Sequence, residues 1–341
     1  MSLHFVDLVD LASVRLGGAV VAANDEFFAP KEGLLKAAAP VWREGEYTDR
    51  GKWMDGWETR RRRDLGPDAH DWCIVRLGGR GLVRGVDVHT AFFTGNYPEA
   101  CAIDACDLPG LPSVDALQQT AWREILARTA LKGDAHNLIA IDAAPVATHL
   151  RLRIYPDGGV ARLRVHGDVV ADWGRLRLRG DVDLAAAEHG GTVVGCSDMF
   201  YGSRHNVIMP GDATHMGDGW ETKRRRGPGH DWTVVRLGAE GSIRRVEVDT
   251  RHFKGNAPGA CSLDAARFDP GEVRTRVQRE GVAALLEGVE WRELLPRTPL
   301  QPDTRHTFEE ELRGIGDITH VRLNIFPDGG MARLRLFGRP R

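Results

Sequence analysis

The sequence predicts an all-β protein made of two antiparallel β-sandwiches of jelly-roll type in tandem. Two observations carry this prediction. The chain contains the same ordered set of sequence blocks twice, and most of these blocks alternate apolar and polar residues with the period of a β-strand. Short strands interrupted by Gly and Pro, present in both halves, are typical of packed antiparallel sheets. With 341 residues, the chain is long enough for two domains that each bury a core.

The duplication is clearest in one charged block. Asp-Gly-Trp-Glu-Thr followed by four basic residues begins at Asp55 and again at Asp218. Each copy is followed by His-Asp-Trp, which begins at His70 in the first half and at His230 in the second. The blocks therefore place acids, bases, imidazoles and indoles at matching positions of the two halves.

The spacing between the two copies changes along the chain, and these changes locate the loops. The first copy has the longer segment after Phe28, and the second has the longer one at residues 270–290. The stretch at 168–180 has no counterpart. We therefore expect a first jelly-roll repeat at 1–167, a linker at 168–180 and a second repeat at 181–341.

The first elements follow from local patterns. Residues 10–18 predict a short helical stretch that is capped by Asp and ended by Gly, and residues 183–191 match it. Residues 72–78 and 83–88 predict two strands, which a glycine-rich turn at 78–81 would separate.

The later elements are also mostly strands. Residues 149–155 alternate apolar side chains with arginines, and residues 160–165 continue this period after a Pro-Asp-Gly-Gly turn. Helical periodicity is weak and short. It is best at residues 114–127 and 273–286.

The composition excludes several classes of protein. Apolar residues make up 42% and charged residues 28%, and no run approaches the roughly eighteen apolar residues of a membrane span. The first residues carry no export signal, so we expect a cytoplasmic protein. Five cysteines without a C-x-x-C pair argue against a zinc ribbon and a disulfide framework. The net charge of −2 argues against a nucleic-acid partner, despite the arginine runs.

The charged block is the first candidate binding site. If Trp57 and Thr59 face one way on a strand, Glu58, Arg60 and Arg62 face the other. One acid and two guanidinium groups on a common face suit a carboxylate or ureido ligand, because a guanidinium pairs with carboxylate oxygens through two hydrogen bonds. The alternative is a solvated strand face held by ion pairs. The presence of the cluster in both halves favours the ligand site.

The His-Asp pairs are candidates for proton transfer. Histidine as a residue type is suited to moving protons near neutral pH, and His70 and His230 each have a neighbouring carboxylate, Asp71 or Asp231. Adjacent strand residues point apart, so a direct His-Asp contact is not expected and one residue of each pair could instead cap the strand. No spacing typical of a closed metal site is present.

Paired amides and carboxylates complete the set of candidates. Asn96 and Asn256 each offer a donor and an acceptor that are complementary to urea, or else serve as turn residues. Asp25 and Asp198, beside paired aromatics, could bind a ligand or cap a turn.

These blocks resemble the allantoicase (allantoate amidinohydrolase) family over essentially the whole chain. Such a tandem of two jelly-roll, galactose-binding-like domains agrees with the fold expected from patterning. The resemblance implies hydrolysis of allantoate to ureidoglycolate and urea, in purine catabolism through allantoin. It rests on residues 24–32, 49–59, 70–72 and 92–98 and on the second-half copies that end at 253–256.

Allantoate carries one carboxylate and two ureido groups on a single carbon. It therefore needs an arginine clamp, partners for the urea N–H groups, an acid for the departing nitrogen and a base for water. The residues expected to transfer protons are Glu58, His70, Glu221 and His230. The residues expected to bind substrate are Asp25, Asp55, Arg60, Arg62, Asp71, Asn96, Asp198, Asp218, Arg225, Asp231 and Asn256.

Some questions stay open at this level. The second repeat has Met199 where the first has Glu26, and Lys223 where the first has Arg60, so the sequence does not decide which repeat holds the working site. No cofactor is assigned, and a divalent metal such as manganese stays an open option, as does self-association into a homo-oligomer. The competing function is a non-catalytic module that binds carbohydrate or another small molecule, since fold alone does not decide function. A structural protein would leave the repeated charges without a ligand.

Overall fold

The computed structural model describes residues 5–64, 66–268, 275–276, 279–281, 284 and 289–341. The chain divides into two compact units. One unit is Leu8–Val170, and the other contains Ala171–Arg341 together with the N-terminal residues up to Asp7. Each unit is an antiparallel β-sandwich, so the predicted fold class is confirmed.

The described residues of the first unit form twelve strands. They are β1 (Val9–Asp10), β2 (Ala19–Ala23), β3 (Tyr47–Thr48), β4 (Gly51–Lys52), β5 (Trp57–Glu58), β6 (Asp71–His89), β7 (Ala100–Cys106), β8 (Arg123–Ala130), β9 (His136–Ala140), β10 (Val146–Tyr155), β11 (Gly159–Val160) and β12 (Arg162–Val169). Its helical segments are α1 (Val114–Gln119) and the 3-10 turns Val14–Leu16 and Lys31–Leu35.

The second unit follows the same order in the part of the chain that is described. Its strands are β13 (Val182–Asp183), β14 (Thr192–Cys196), β15 (Trp220–Glu221), β16 (Asp231–Asp249), β17 (Ala260–Ala266), β18 (Arg292–Pro299), β19 (Arg305–Phe308), β20 (Ile318–Phe326), β21 (Gly330–Met331) and β22 (Arg333–Pro340). Its helical segments are α2 (Trp173–Arg177) and the 3-10 turns Phe5–Asp7, Ala187–His189, Arg204–Ile208 and Met216–Asp218. Helix α2 lies inside the stretch that the sequence predicted to be a linker.

Strand β6 joins the two layers of the first sandwich. Its first half pairs with β10 and β2, and its second half pairs with β12 and β9. The register against β10 shifts between Arg76 and Gly81, where the strand passes from one layer to the other. Strands that change layer at such irregularities form the corners of a sandwich. Strand β16 has the same role in the second unit, between Arg236 and Gly241.

The predicted glycine-rich turn at 78–81 is therefore wrong, because the strand continues through it. The glycines serve close packing instead. A Cβ added at Gly78 would lie 2.6 Å from the backbone of Leu16, and one at Gly81 would lie 2.8 Å from the Asp168 carbonyl. A missing side chain allows such close approach of two backbones as readily as it allows a turn.

The weak helix predicted at 114–127 is half right. Helix α1 ends at Gln119, after the Ser113 hydroxyl caps its start by accepting from the Ala116 N–H at 3.2 Å. Residues from Arg123 onward form β8, which pairs with β7. Pairing with a neighbouring strand outweighs a weak local helical preference. The matching prediction at 273–286 lies largely outside the described residues.

Two smaller expectations can be compared with the structure. In residues 10–18 a 3-10 turn is present and ends at Gly17 with φ of +101°, as predicted, but its cap is Ser13 rather than Asp10. The strands predicted at 149–155 and 160–165 are confirmed as parts of β10, β11 and β12. None of the described helices is both long and apolar enough to span a bilayer.

Candidate functional site

Each repeat centres its charged block on a buried tryptophan. Trp57 is fully buried, and its indole N–H donates to the Asp25 carbonyl at 2.9 Å. Asp25 in turn accepts from the backbone N–H of Arg60 at 2.9 Å and from its guanidinium Nε at 2.6 Å. The pKa of the Asp25 carboxyl falls, because hydrogen bonds from Arg60 and Phe27 outweigh the opposing effect of burial. Asp25 thus holds the block in place.

The second repeat contains the same arrangement. The Trp220 indole donates to the Asp198 carbonyl at 2.8 Å, and the Asp198 carboxylate accepts from the backbone N–H of Lys223 at 2.7 Å. Both predicted substrate-binding aspartates, Asp25 and Asp198, therefore accept hydrogen bonds from the charged block of their own repeat.

Glu58 lies next to this tryptophan and is 7% exposed. Its Oε1 accepts from the Asn96 side-chain amide at 2.7 Å, and the Asn96 backbone carbonyl accepts from the Gly159 N–H at 2.8 Å. Burial raises the pKa of the Glu58 carboxyl, and the Asn96 hydrogen bond and the Arg61 charge oppose that rise without cancelling it. A carboxyl of this kind keeps its proton closer to neutrality than a solvated one does.

The Pro-Asp-Gly-Gly turn at 156–159 lies beside the segments that carry Glu58 and Asn96. The Gly158 N–H donates to the Thr59 hydroxyl at 3.1 Å, and the Thr59 N–H donates to the Gly158 carbonyl at 3.1 Å. Gly158 has φ of +136°, and a Cβ there would lie 2.8 Å from the Asn96 carbonyl. This position therefore favours glycine and lets three distant segments meet beside Glu58.

A cavity of about 630 Å³ opens where these segments meet. Its ionisable groups are the buried Glu58 carboxyl and the side chains of Arg61, Arg62, Glu99 and Asp157. The remaining lining comes from Phe28, Thr59, Gly95, Asn96, Tyr97, Pro156 and Gly158. The cavity combines acids of different burial with two guanidinium groups, an amide and two aromatic rings.

The arginines of the block differ in whether their guanidinium groups already pair with carboxylates of the protein. Arg62 donates to Asp64 at 2.5 Å, to Asp71 at 2.7 Å and to the His70 carbonyl at 2.9 Å. Arg60 is bound to Asp25, and it lines a second cavity rather than the one around Glu58. Arg61 is exposed, lines both cavities and has no ion-pair partner among the described residues.

The predicted common face of Glu58, Arg60 and Arg62 is therefore only partly formed. Strand β5 ends at Glu58, so the alternation that defined the face stops there. Glu58 lines one cavity, Arg60 lines the neighbouring cavity of about 630 Å³, and Arg62 lines both.

His70 does not line the cavity around Glu58. Its Nδ1 lies 2.8 Å from the Asp68 carbonyl, and its ring centroid lies 5.3 Å from that of Tyr155. Asp71 is 2% exposed, and its Oδ1 accepts from Asn24 at 2.7 Å and from Arg62. Its Oδ2 is buried without a hydrogen-bond partner in the described part of the chain.

Asp55 and Asp218 make internal contacts. Asp55 is 6% exposed and lies 2.7 Å from both the Arg162 guanidinium and the Lys36 ammonium. Burial opposes its ionisation, but these two cations and the Val41 N–H outweigh it and hold the pKa of Asp55 at about 2. Asp218 accepts from the Thr214 hydroxyl at 2.7 Å and from the Thr214 N–H at 2.9 Å.

The second repeat brings its candidates together differently. The Asn256 amide donates to Glu221 at 2.6 Å and to the Met216 sulfur at 3.4 Å. Arg225 pairs with Asp231, which also accepts from the Ser197 hydroxyl at 2.9 Å. His230 lies 3.2 Å from the Asn324 side chain, and both line a cavity of about 460 Å³ with Arg225.

Reasoning from the sequence did not single out four residues of the first cavity, Arg61, Tyr97, Glu99 and Asp157. The second repeat has Ala257 and Gly259 where the first has Tyr97 and Glu99. This difference between the repeats is the sequence signal that could have identified Tyr97 and Glu99.

One group of described residues has the spacing of metal ligands. Asp87, His89 and His136 place potential ligand atoms within 4.8 Å of one another. None of the three lines the cavities described above.

Comparison with known proteins places both repeats in one family. The family model described as "Allantoicase repeat" matches residues 9–170 and again 182–341. A "Probable allantoicase" of Pseudomonas aeruginosa (strain LESB58) is 50% identical over 337 residues, which are 99% of this chain and 97% of the relative. A "Probable allantoicase" of Photobacterium profundum is 48% identical over 338 residues, 99% of this chain and 98% of the relative. The crystal structure of allantoicase from Saccharomyces cerevisiae superposes with a TM-score of 0.80 at 34% identity and covers 97% of this chain and 92% of that one.

Proposed function

The chain belongs to the allantoicase family and hydrolyses allantoate to ureidoglycolate and urea, and from this premise we propose that the cavity around Glu58 is the reaction site. The observation that carries this proposal is the set of groups around one opening. A buried carboxyl, an exposed carboxyl and an arginine without an ion-pair partner among the described residues all line it. These groups match the requirements of a substrate with one carboxylate and two ureido arms.

Arg61 binds the substrate carboxylate. A guanidinium without an internal carboxylate partner can pair with an incoming one through two charge-assisted hydrogen bonds. Arg60 and Arg62, the candidates named from the sequence, are bound to Asp25 and to Asp64 and Asp71. They support the position of the block, and Arg62 adds positive charge to the cavity wall.

Glu58 acts as the general acid. In the reaction the bond between the central carbon and one ureido nitrogen breaks, and that nitrogen takes a proton and leaves as urea. The water oxygen bonds to the same carbon and gives ureidoglycolate. Because burial raises the pKa of Glu58, this carboxyl can hold the proton that the leaving nitrogen needs.

Glu99 removes the proton from water. It lines the same cavity as Glu58 but is exposed to solvent, whereas Glu58 is buried. His70 stays the alternative base. It would need to reach the cavity from beside Tyr155, where its ring now packs.

The first repeat is the working repeat in this proposal. The second repeat keeps the acid-amide pair of Glu221 and Asn256, but Ala257 and Gly259 replace the ring and the carboxylate of Tyr97 and Glu99. The Met216 sulfur also contacts the Asn256 amide. Glu221, His230 and Arg225 are then supporting residues.

Matched variants test this assignment. Glu58→Gln should lower the rate of urea release by a factor of about 10² or more, in the range of general acid catalysis. Glu221→Gln, the same change in the other repeat, should keep most of the activity. Circular dichroism checks that both proteins fold. A fully active Glu58→Gln protein would refute the proposed site.

The competing function, a module that only binds carbohydrate, is not favoured. A carbohydrate-binding module mainly needs aromatic and amide groups on its surface. It has no need for a buried and an exposed carboxyl in one cavity. Urea release by purified protein separates the two functions directly.

We also propose that the protein works in the cytoplasm, with the small ureide as its ligand and no nucleic-acid partner. All five cysteines are free thiols, which suits a reducing compartment. Burial raises the pKa of Cys101 and of Cys261 to about 12, so these thiols are unreactive. Self-association stays a proposal, and light scattering at several protein concentrations tests it.

A further inference from the structure

The first sandwich carries an unusual trio of side chains on strands β6 and β9. Asp87 and His89 lie two positions apart on β6, so they project from the same side of the strand. His136 on β9 is the direct cross-strand partner of His89. Two imidazoles and a carboxylate therefore meet at one point of the sheet, outside the cavity around Glu58.

The distances within this trio are short. The His136 Nδ1 lies 2.6 Å from the Asp87 Oδ2, and the His89 and His136 rings stack with centroids 3.7 Å apart. The candidate ligand atoms all lie within 4.8 Å of one another. Two ligand atoms on one tetrahedral zinc ion lie roughly 3.4 Å apart, given bonds of about 2.0–2.1 Å. The side chain of His136 is 63% exposed and can make the remaining adjustment by rotating.

The Asp87 carboxylate has an unused oxygen. Asp87 is 6% exposed, and its Oδ1 is buried with no hydrogen-bond partner among the described residues. A buried carboxylate oxygen normally has a hydrogen-bond donor or a cation as its partner. This oxygen is an independent sign that a ligand belongs here.

The second repeat has different residues at the two positions that match the histidines. Asp249 replaces His89, and Arg305 replaces His136 in the same cross-strand register. Their side chains form an ion pair at 3.5 Å, and Arg251 adds a contact to Asp249 at 2.6 Å. At these positions the second repeat therefore has an ion pair, whereas the first repeat has two imidazoles beside a carboxylate.

We propose that Asp87, His89 and His136 form a binding site for a divalent transition-metal ion of the zinc type. Imidazole nitrogens and a carboxylate oxygen are ligands that zinc accepts in fourfold coordination, with water in the remaining position. The ion replaces the hydrogen bond between the Asp87 Oδ2 and the His136 Nδ1, and His89 completes the protein ligands.

The site would have a structural role. It links β6 to β9 at the point where β6 ends, and the loop that follows carries Asn96 and Glu99. Thr90, the first residue of that loop, is already tied across by a hydrogen bond from its hydroxyl to the Lys132 carbonyl at 2.6 Å. A metal ion one residue earlier would reinforce this connection. The inference does not depend on the proposed function.

Metal binding to the full-length protein tests the proposal. Protein treated with a chelator and dialysed is titrated with Zn²⁺ by calorimetry and with Co²⁺ by visible absorption. We expect one ion per chain, with the absorption bands of low-coordinate Co²⁺ that the aqueous ion lacks. The melting temperature should rise when Zn²⁺ is added.

Variants assign the binding to this trio. His136→Ala should weaken binding by at least the roughly tenfold that loss of a residue supporting a metal ligand already costs, because His136 is itself a ligand. The double change H89D/H136R, which installs the pair that the second repeat uses in the same register, should abolish binding in a folded protein. His215→Ala, at an exposed histidine elsewhere, should bind as the original protein does. Absence of stoichiometric binding in the unchanged protein, or equal binding by the double variant, would overturn the proposal.

Discussion

The Asn96 side-chain amide donates a 2.7 Å hydrogen bond to the Glu58 carboxylate, across a sequence separation of 38 residues. The contact favours the ionised carboxylate, whereas burial favours the protonated acid. The protonation state of Glu58 is therefore set by two opposing effects of the same pocket. The second repeat has the same contact between Asn256 and Glu221 at 2.6 Å, which supplies a matched control for experiments on the first.

The pH dependence of kcat should contain a limb due to Glu58. If Glu58 is the general acid, activity falls as pH rises through its pKa, which burial has raised. Asn96→Ala removes a donor that stabilises the charged form, so it should move this alkaline limb to higher pH. Asn256→Ala should leave the limb in place. A profile of kcat against pH for the three proteins measures both effects, and an unmoved limb in Asn96→Ala would exclude Glu58 as its source.

The stability of Glu58→Gln should differ from that of the original protein in a pH-dependent way. A carboxyl whose pKa is raised in the folded state contributes stability at low pH, and that contribution is lost as pH rises through the folded pKa. Glutamine does not ionise. The variant should therefore gain melting temperature relative to the original protein on going from acidic to neutral pH. Calorimetric scans at both pH values measure this, and a constant difference would contradict it.

Arg61 should control substrate affinity. Loss of a charge-assisted hydrogen bond costs about 1.5–3 kcal/mol, so Arg61→Ala should raise KM by roughly one to two orders of magnitude. Arg61→Lys keeps the charge but loses the paired geometry, and its KM should lie between the two. Arg224→Ala is the control in the second repeat. An unchanged KM for Arg61→Ala would show that Arg61 does not bind the substrate carboxylate, and would favour Arg60 or Arg62 in that role.

Glu99 should control the rate of the chemical step. A glutamine amide cannot take a proton from water, so Glu99→Gln should lower kcat by a factor of about 10², while KM changes little. Steady-state kinetics of urea release measure both constants. If Glu99→Gln instead keeps its kcat and His70→Asn loses it, His70 is the base.

Asp55 should matter for stability rather than for substrate binding. Removing one partner of a buried ion pair costs about 3–5 kcal/mol, so Asp55→Asn should lower the free energy of unfolding by that order. The pKa of Asp55 is about 2, below its ordinary 3.8, so its contribution is full well above the ordinary value and is lost as pH falls toward the folded one. Denaturant unfolding at neutral pH and at a pH between these two values measures this. Asp218→Asn, which breaks contacts to Thr214, should cost less.

Several features of the site could be read from the sequence. The duplicated block identified Glu58 and Asn96 as candidates, because repetition of a charged motif separates it from ordinary surface charge. The sequence could not show that Asp25 and Arg60 bind each other, or that Asp55 lies against Arg162. A charged residue looks the same in sequence whether its partner is a substrate or another segment of the chain.

The glycine-rich stretch at 78–81 illustrates a second limit. Glycine permits both a turn and a close approach of two backbones, and the sequence does not distinguish them. In the structure Gly78 packs against the backbone of Leu16, and the strand continues through it. In the same way, pairing with β7 makes residues 123–130 a strand, although the local pattern predicts a helix as far as residue 127.

The sequence by itself predicted the two sandwiches, because periodic apolar residues and repeated blocks are properties of local order along the chain. Its resemblance to the allantoicase family implied the reaction. Only the tertiary structure decided which ionisable side chains line the cavity and which of them pair with other charged groups of the protein. Glu58, Glu99 and Asp157 are brought to one cavity from segments far apart in the chain, while Arg60 and Arg62 are occupied by carboxylates of the protein itself. Electrostatic pairing and burial depend on distances in space, and these are set only once the sheets have packed.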